Sequence, residues 1–197
     1  MAERTPDTKK KIRDVSGVLF RRDGYNGTGL KRISTESGAP FGSIYHFFPG
    51  GKAQIAEECI RTSGPEYMEL VLDLLESVDN PVEAIRNTFR EIARHLVATD
   101  YTDACPIATV ALEVASNNER LRAATADVFV EWVDAMTIWT SAWTSDSDQA
   151  RELAHSFVML LEGALMLSRA ARDPQPLYTA GESMVRLLRD VMAPAMA

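Results

Sequence analysis

The sequence predicts an all-α protein with a small N-terminal unit of three helices and a larger helical body, about nine helices in all. Three observations support this class. Residues 24–52 read as two short helices joined by a tight turn, and beyond Gly51 apolar residues recur at helical spacing without strand-like alternation. A length of 197 residues accommodates a module of about fifty residues plus a helical body.

The first helix is predicted from about Asp7 to Arg22. It begins with a basic stretch and then places Ile12, Val15, Val18 and Leu19 at helical spacing. This apolar face is expected to support the two short helices that follow.

The second helix is predicted to begin near Thr28 or Gly29, with the Thr28 hydroxyl accepting a hydrogen bond from the first turn. It should end at Gly38, because glycine adopts the left-handed conformation without steric penalty and Pro40 cannot continue the helix. The third helix is predicted from about Phe41 to Phe48. Ile44 and Phe48 would face inward there, which turns a set of small and polar side chains outward: Gly42, Ser43, Tyr45 and His46.

The body is predicted as six amphipathic stretches, at about 50–77, 81–99, 105–116, 118–144, 147–172 and 176–192. Turn-forming pairs mark their boundaries: Asn80-Pro81, Cys105-Pro106, Asn117-Asn118, Ser145-Asp146 and Asp173-Pro174. Gly64-Pro65 falls inside the first stretch, which is therefore expected to be kinked or divided. The predicted domains are residues 1–52 and residues 53–197.

The two short helices have the helix-turn-helix layout, in which the second helix enters the major groove of DNA. The charge distribution favours this interpretation. Residues 1–52 hold ten Lys and Arg against five Asp and Glu, a net of +5, whereas residues 53–197 hold 11 against 23, a net of −12. A basic end on an acidic chain of net charge −7 indicates one DNA-facing end rather than a nonspecific basic coat.

These residues resemble the TetR family of bacterial transcriptional repressors. The resemblance rests on Gly24-Tyr25, Thr28, Gly38, the segment Gly42-Ser43-Ile44-Tyr45-His46-Phe47-Phe48 and Lys52. The segments 48–52 (FPGGK), 105–108 (CPIA) and 110–113 (VALE) are similar to the branch that includes lincomycin-resistance and flavonoid-responsive repressors. The resemblance is strong over residues 9–60 and looser beyond.

The resemblance implies roles for individual residues. Thr28 and Lys52 would bind phosphates, Lys31 or Arg32 would reach the DNA backbone, and Tyr45 and His46 would contact phosphate or base edges. Gly42 and Ser43 would let the helix enter deeply. Phe41 departs from the basic residue usual in that branch, so it would touch a thymine methyl group or simply pack, and Phe47 stands where the family commonly has histidine.

The body carries an aromatic stripe, with Phe129, Trp132, Val133, Met136, Trp139 and Trp143 at three- and four-residue steps. The stripe is either ordinary core or the wall of a ligand site. The resemblance implies a site for a small inducer, largely apolar or aromatic, among the middle helices. Its candidate lining residues are Phe89, Trp132, Met136, Trp139, Phe157, Glu162 and Met166.

The last two helices are candidates for a homodimer interface. Their apolar stripes comprise Leu153, Phe157, Leu160, Leu161, Ala164 and Leu165, then Met184, Leu187, Leu188 and Val191. A two-fold dimer predicts a palindromic double-stranded DNA operator, with recognition helices about 34–36 Å apart or a multiple of that distance.

The sequence also leaves two alternatives open, a helical metal-dependent enzyme and an architectural DNA-binding protein without a ligand. Glu152 and His155 match one Glu-x-x-His element of di-iron bundles, but such bundles need two. HExxH, Gly-rich phosphate loops and a Gly-x-Ser-x-Gly elbow are absent from the sequence, so we expect no enzyme, no cofactor and no metal site. Without a signal peptide or a long uninterrupted apolar segment, we expect a cytoplasmic protein with no membrane contact.

Overall fold

The structure is a computed structural model, and it describes residues 6–103 and 105–192. These ranges contain nine helices and no strand, which confirms the all-α prediction. In chain order the helices are α1 (Pro6–Gly27), α2 (Leu30–Ser37), α3 (Phe41–Phe47), α4 (Gly51–Glu76), α5 (Pro81–Ala98), α6 (Ala108–Val114), α7 (Glu119–Thr140), α8 (Ser147–Ala171) and α9 (Gln175–Met192).

The described residues form two compact units. Unit 1 contains residues 6–65 and 105–128, and unit 2 contains residues 66–103 and 129–192. The predicted domain boundary at residue 52 stays a prediction. The outer limits of the two predicted domains, residues 1 and 197, lie outside the described residues.

Unit 1 is built around α1, which packs against α2, α3 and α6. Side chains from α1, α2, α3 and the turn after α3 are almost completely buried, namely Ile12, Leu19, Phe20, Ile33, Ile44 and Phe48. The predicted inward positions of Ile44 and Phe48 are confirmed. Burial of several large apolar side chains in so small a unit fixes the short helices, which have too few residues to be stable alone.

The turn between α2 and α3 has the predicted chemistry. Gly38 is left-handed, with φ 66°, and its N–H donates to the Thr35 carbonyl, so α2 ends at this residue as predicted. The Ser34 hydroxyl donates to the Ala39 carbonyl at 2.6 Å, and Pro40 precedes the first residue of α3. These local bonds hold the two short helices in one arrangement.

Thr28 does not cap α2, contrary to the prediction. Gly29 occupies the N-cap position, and the Thr28 hydroxyl instead donates to the Gly24 carbonyl at 2.8 Å. This happens because α1 breaks at Gly24, where φ 76° and ψ 171° are non-helical, and the released carbonyl accepts a bond from the fully buried Thr28. The first straight part of α1 therefore ends within two residues of the predicted end at Arg22, and a short helical piece after the break runs to Gly27.

The sequence predicted a helix that is kinked or divided at Gly64-Pro65. Division is wrong, because α4 is one helix of 26 residues with Pro65 inside it. Proline removes one hydrogen bond and crowds the preceding turn. Gly64 places no side chain at this point, and α4 comes so close to Val128 of α7 that a Cβ atom on Gly64 would lie 2.5 Å from Val128 Cγ1. We infer that this close packing offsets the cost of the proline.

Replacing Gly64 with Ala is therefore expected to lower the free energy of unfolding by about 1–3 kcal/mol, since the added methyl group overpacks the contact with Val128. Urea denaturation followed by circular dichroism measures this. Gly17→Ala is a matched control within α1, where the nearest atom, Cys59 Sγ, lies 3.9 Å from the new Cβ, so stability should be unchanged or higher. Adding Val128→Ala to Gly64→Ala should recover the part of the lost stability that is due to the steric conflict. Equal stability of the Gly64→Ala and Gly17→Ala proteins would refute the overpacking.

Unit 2 is built from α5, α8 and α9, with α9 packed against both of the others. Most of the stripes proposed for dimerisation are buried within this unit, including Leu153, Phe157 and Leu161 of α8 and Met184 and Leu188 of α9. Leu187 of the predicted stripe is exposed, together with apolar side chains outside the stripes: Met159, Met166, Leu167, Tyr178 and Met192. A partner would therefore contact mainly these exposed side chains.

Among the described residues, one helix, α8, is long and apolar enough by length and composition to cross a membrane. Nine of its residues are buried and it packs against α9. A core helix passes the same test of length and composition, and we interpret α8 as one.

Candidate nucleic-acid interface

The third helix exposes the side chains that the sequence assigned to DNA recognition. Tyr45 is 53% exposed and Phe41 is 43% exposed, and their ring centroids lie 6.4 Å apart, four residues along one face. Gly42 and His46 are exposed beside them. Ser43 differs from the prediction, because it is only 3% exposed. Ser43 is adjacent to buried Ile44 in the sequence, which corresponds to about 100° of rotation around the helix. Ser43 therefore still lies within the wide inward face of this short helix.

The charged side chains on α2 differ in their availability. Arg32 forms ion pairs with Asp23 at 2.8 Å and with Glu36 at 2.7 Å, and the hydrogen bond that Arg32 donates to Glu36 is the main cause of a raised guanidinium pKa. Lys31 is exposed and has no ion pair within the described residues. Lys31 can therefore bind a phosphate directly. Arg32 can bind a phosphate only if its guanidinium group leaves Asp23 or Glu36, or contacts the phosphate while it keeps these ion pairs.

Lys52 at the start of α4 is held against the end of α1. Its ammonium donates to the Tyr25 carbonyl at 2.9 Å and lies 4.1 Å from the centroid of the Tyr25 ring. Burial lowers the pKa of Lys52, and the negative charge of Glu113 acts in the opposite direction. Lys52 thus orients the backbone at the break in α1, and its predicted phosphate contact stays a prediction.

Glu113 of α6 is a residue of this region to which the sequence assigned no role. Its Oε2 accepts a hydrogen bond from the backbone N–H of Asn26 at 2.7 Å, and its carboxylate lies directly against Gly24. With Lys52 on the Tyr25 carbonyl and Thr28 on the Gly24 carbonyl, three side chains satisfy the backbone groups released by the break. The partners are 87 residues apart, so no local pattern could have identified the contact.

The candidate ligand residues lie in unit 2 and divide by burial. Phe89, Trp132, Met136 and Phe157 are at most 1% exposed, and the rings of Phe89 and Phe157 meet edge to face at 5.4 Å. Trp139 and Glu162 are half-buried, whereas Met166 is 57% exposed.

The aromatic stripe itself is shorter than predicted. Helix α7 ends at Thr140, so Trp143 lies in the following turn, although its ring remains 6.0 Å from that of Trp139. Trp132 instead contacts Phe129 and Tyr67, with ring centroids 5.5 and 5.4 Å away. These contacts make Trp132 part of an aromatic cluster within unit 2.

Neither the Glu152 and His155 pair nor the buried thiol of Cys59 has the surroundings of a reactive site. Glu152 and His155 are exposed on α8, and within residues 6–103 and 105–192 no group of three His, Cys, Asp or Glu could hold a metal ion. Burial raises the pKa of the Cys59 thiol to about 12, and its Sγ donates to the Arg13 carbonyl at 3.3 Å. Cys59 is therefore a protonated packing residue at neutral pH.

The fold and the exposed face of α3 define a helix-turn-helix DNA-binding protein. Residues 12–59 match the family described as bacterial regulatory proteins of the TetR family, and residues 81–183 match the family described as transcriptional regulator LmrA/YxaF-like, C-terminal domain. The chain belongs to the TetR family and carries an LmrA/YxaF-like C-terminal domain. It is a TetR-type DNA-binding transcriptional regulator.

Two relatives from Bacillus subtilis (strain 168) extend over nearly the whole chain. The uncharacterized HTH-type transcriptional regulator YxaF is 33% identical, covering 93% of this chain and 96% of its own length. The HTH-type transcriptional regulator LmrA is 30% identical, with 93% and 97% covered.

Solved structures share the fold. A regulatory protein TetR from Rhodobacter sphaeroides superposes with a TM-score of 0.79 at 20% identity, over 90% of this chain and 97% of that one. A TetR transcriptional regulator from Chloroflexus aurantiacus J-10-FL gives 0.77 at 24% identity, over 93% and 94%. At these identities the likeness concerns the fold alone.

Proposed function

We propose that the protein is a non-catalytic, homodimeric, cytoplasmic repressor that leaves a palindromic operator when a small, largely apolar or aromatic inducer binds. The observation that supports DNA recognition most directly is the exposed face of α3, where Phe41, Tyr45 and His46 surround Gly42. Lys31 on α2 adds a positive charge with no ion pair among the described residues. Aromatic and imidazole groups on such a helix suit base edges and phosphates in a major groove.

The proposed dimer uses the exposed apolar side chains of α8 and α9 in unit 2. Met159, Met166 and Leu167 lie on α8 and Leu187 lies on α9, each at least 39% exposed. Apolar side chains that remain exposed on adjacent helices are typical of an interface between protomers. A two-fold axis there would present two recognition helices to successive turns of DNA.

Release by an inducer follows from thermodynamic linkage. If the inducer binds free protein more tightly than operator-bound protein, it lowers operator affinity by the same factor. The usual coupling of about 1–3 kcal/mol corresponds to a change of about 5- to 150-fold.

Operator binding is expected to be specific and strongly dependent on salt. A mobility-shift titration of the full-length protein on DNA from its own upstream region should show affinity falling by about 10³–10⁵ between roughly 50 and 200 mM salt, if six to ten phosphates are contacted. The matched control is the same DNA with one half-site scrambled, which should bind far more weakly. Binding that is weak and indifferent to sequence on every segment tested, including upstream regions of neighbouring genes, would contradict the proposal.

A further inference from the structure

Unit 2 contains a groove between α5 and α9 that the proposed DNA contacts do not use. Its volume is about 390 Å³, within the range of about 300–1,000 Å³ typical of small-molecule sites. Arg86, Arg90 and Arg94 line it from α5, and Tyr178, Gly181 and Glu182 line it from α9. The groove is thus of ligand size and mixes aromatic and charged walls.

Two aromatic side chains and a glycine contribute to the shape of the groove. Gly181 lets the two helices approach closely, since a Cβ atom there would lie 3.0 Å from Phe89 Cβ. Phe89 and Tyr178 both line the groove, and Phe89 is 1% exposed whereas Tyr178 is 39% exposed. The exposed Tyr178 ring offers a surface on which a planar group can pack.

One of the three arginines maintains the groove rather than binding a ligand. Arg86 donates from Nε to Glu182 Oε1 at 2.7 Å and from Nη2 to Glu182 Oε2 at 3.0 Å, and a third bond reaches Glu83. The bonds to Glu182 are the main cause of the raised pKa of Arg86, and the bond from Arg86 is the main cause of the lowered pKa of Glu182. This bidentate ion pair joins α5 to α9 across the groove.

The other two arginines keep donors available for a ligand. Arg90 forms no hydrogen bond or ion pair with the described part of the chain, and Arg94 uses only Nη1, which bonds to Glu91 on its own helix. They are four residues apart, as are Arg86 and Arg90, so all three guanidinium groups follow one face of α5.

The charge of this groove contrasts with the acidic body of the protein. Residues 53–197 carry a net charge of −12, yet the groove itself is lined by three arginines and one glutamate. Arg186 and Arg189 on α9 are also close enough to lower the pKa of Glu182. A small anion would therefore find a local positive potential here and a repulsive one over much of the remaining body.

We propose that the α5–α9 groove binds an aromatic carboxylate, with the carboxylate on Arg90 and Arg94 and the ring against Tyr178. A small molecule fits the volume, and planar guanidinium groups match the two oxygens of a carboxylate. This inference rests on the proposed function for its regulatory meaning. It deepens that function because it predicts that the inducer is negatively charged and binds in this groove. Phe89 is the residue that this groove shares with the ligand site expected from the sequence.

The test uses isothermal titration calorimetry on the full-length protein, with 1-naphthoate as the probe and uncharged 1-naphthamide as its neutral counterpart. Naphthoate should bind at least about tenfold more tightly than the amide. The double variant Arg90→Gln/Arg94→Gln should weaken naphthoate binding at least about tenfold and leave amide binding unchanged. Tyr178→Leu should weaken both ligands, since it removes the ring surface without altering the arginines.

Arg151→Gln is the matched control, because Arg151 pairs with Asp134 elsewhere in unit 2 and does not line the groove. Circular dichroism and melting temperature should match the native protein in every variant, since the replaced side chains lie at the surface. Naphthoate binding that is absent at millimolar concentrations, or equally tight in Arg90→Gln/Arg94→Gln, overturns the inference. An acidic peptide that occupies the groove while naphthoate fails would likewise overturn it.

A mobility shift in the presence of naphthoate separates the groove from the repressor proposal. Binding in the groove with unchanged operator affinity supports the groove and overturns its role as the inducer site. Binding in the groove by a protein that recognises no specific DNA supports the groove and overturns the operator proposal.

Discussion

Replacing Tyr45 with Ala is expected to weaken specific operator binding by about 1–3 kcal/mol, a loss of roughly 5- to 150-fold in affinity. Tyr45 is the most exposed of the large apolar side chains on α3, and its hydroxyl and ring can both reach a groove edge. Truncation removes both contacts and the ring neighbour of Phe41. Fluorescence anisotropy of a labelled operator at fixed salt measures the loss.

Two further variants separate recognition from folding. Tyr45→Phe should retain the ring contact and lose only the hydroxyl, so its affinity should lie between those of the native protein and Tyr45→Ala. Leu70→Ala is a matched control on α4, with 54% of its side chain exposed compared with 53% for Tyr45, and it should bind operator normally. Both alanine variants should unfold within about 0.5 kcal/mol of the native protein, because the side chains are largely solvated. Native-like operator affinity in Tyr45→Ala would show that α3 reads DNA without this residue.

Helix ends were predictable where local chemistry determines them. The Asn80 side chain accepts hydrogen bonds from the N–H groups of Val82 and Glu83, and Asp146 does the same for Asp148 and Gln149. Both caps fall at boundaries predicted from the sequence, and Gly38 ends α2 in the expected left-handed conformation. Caps and turns involve residues within a few positions of one another, so the sequence alone displays them.

Features set by distant contacts were not predictable in the same way. Pro65 suggested a kinked or divided helix, and the continuity of α4 involves the packing of Gly64 against Val128, two residues far apart in the chain. The buried bond from Thr28 to Gly24 and the Glu113 contact with Asn26 depend on the break in α1. Helical periodicity contains no information about such pairings.

The candidate sites show a similar limit. Spacing on α3 correctly placed Tyr45 and His46 at the surface, because four-residue periodicity identifies the opposite, buried face. The apolar stripes of α8 and α9 were equally regular, but periodicity does not distinguish packing within the chain from packing against a partner. Leu161 and Leu188 pack within the chain, whereas Met159 and Leu187 are left exposed.

Replacing Gly24 with Ala is expected to destabilise the protein by about 2–4 kcal/mol, measured by urea denaturation. Two effects contribute. A residue with φ 76° and ψ 171° occupies a region that is essentially restricted to glycine, at a cost of about 1–3 kcal/mol for other residues. A Cβ atom at this position would also lie 1.7 Å from Glu113 Oε1, so the carboxylate must leave the N–H of Asn26.

The two effects can be separated with a second substitution. Glu113→Ala in the Gly24→Ala background removes the steric conflict but not the backbone strain, so stability should recover only in part. Glu113→Ala alone should cost about 0.5–1.5 kcal/mol, because it removes one hydrogen bond at an exposed site where water can replace the acceptor of the Asn26 N–H. Gly24→Ala should also weaken operator binding, because the break at Gly24 leads directly into α2 and fixes its starting direction through Thr28. Native stability of the Gly24→Ala protein would contradict this prediction. It would mean that residue 24 does not adopt the left-handed conformation on which the break in α1 depends.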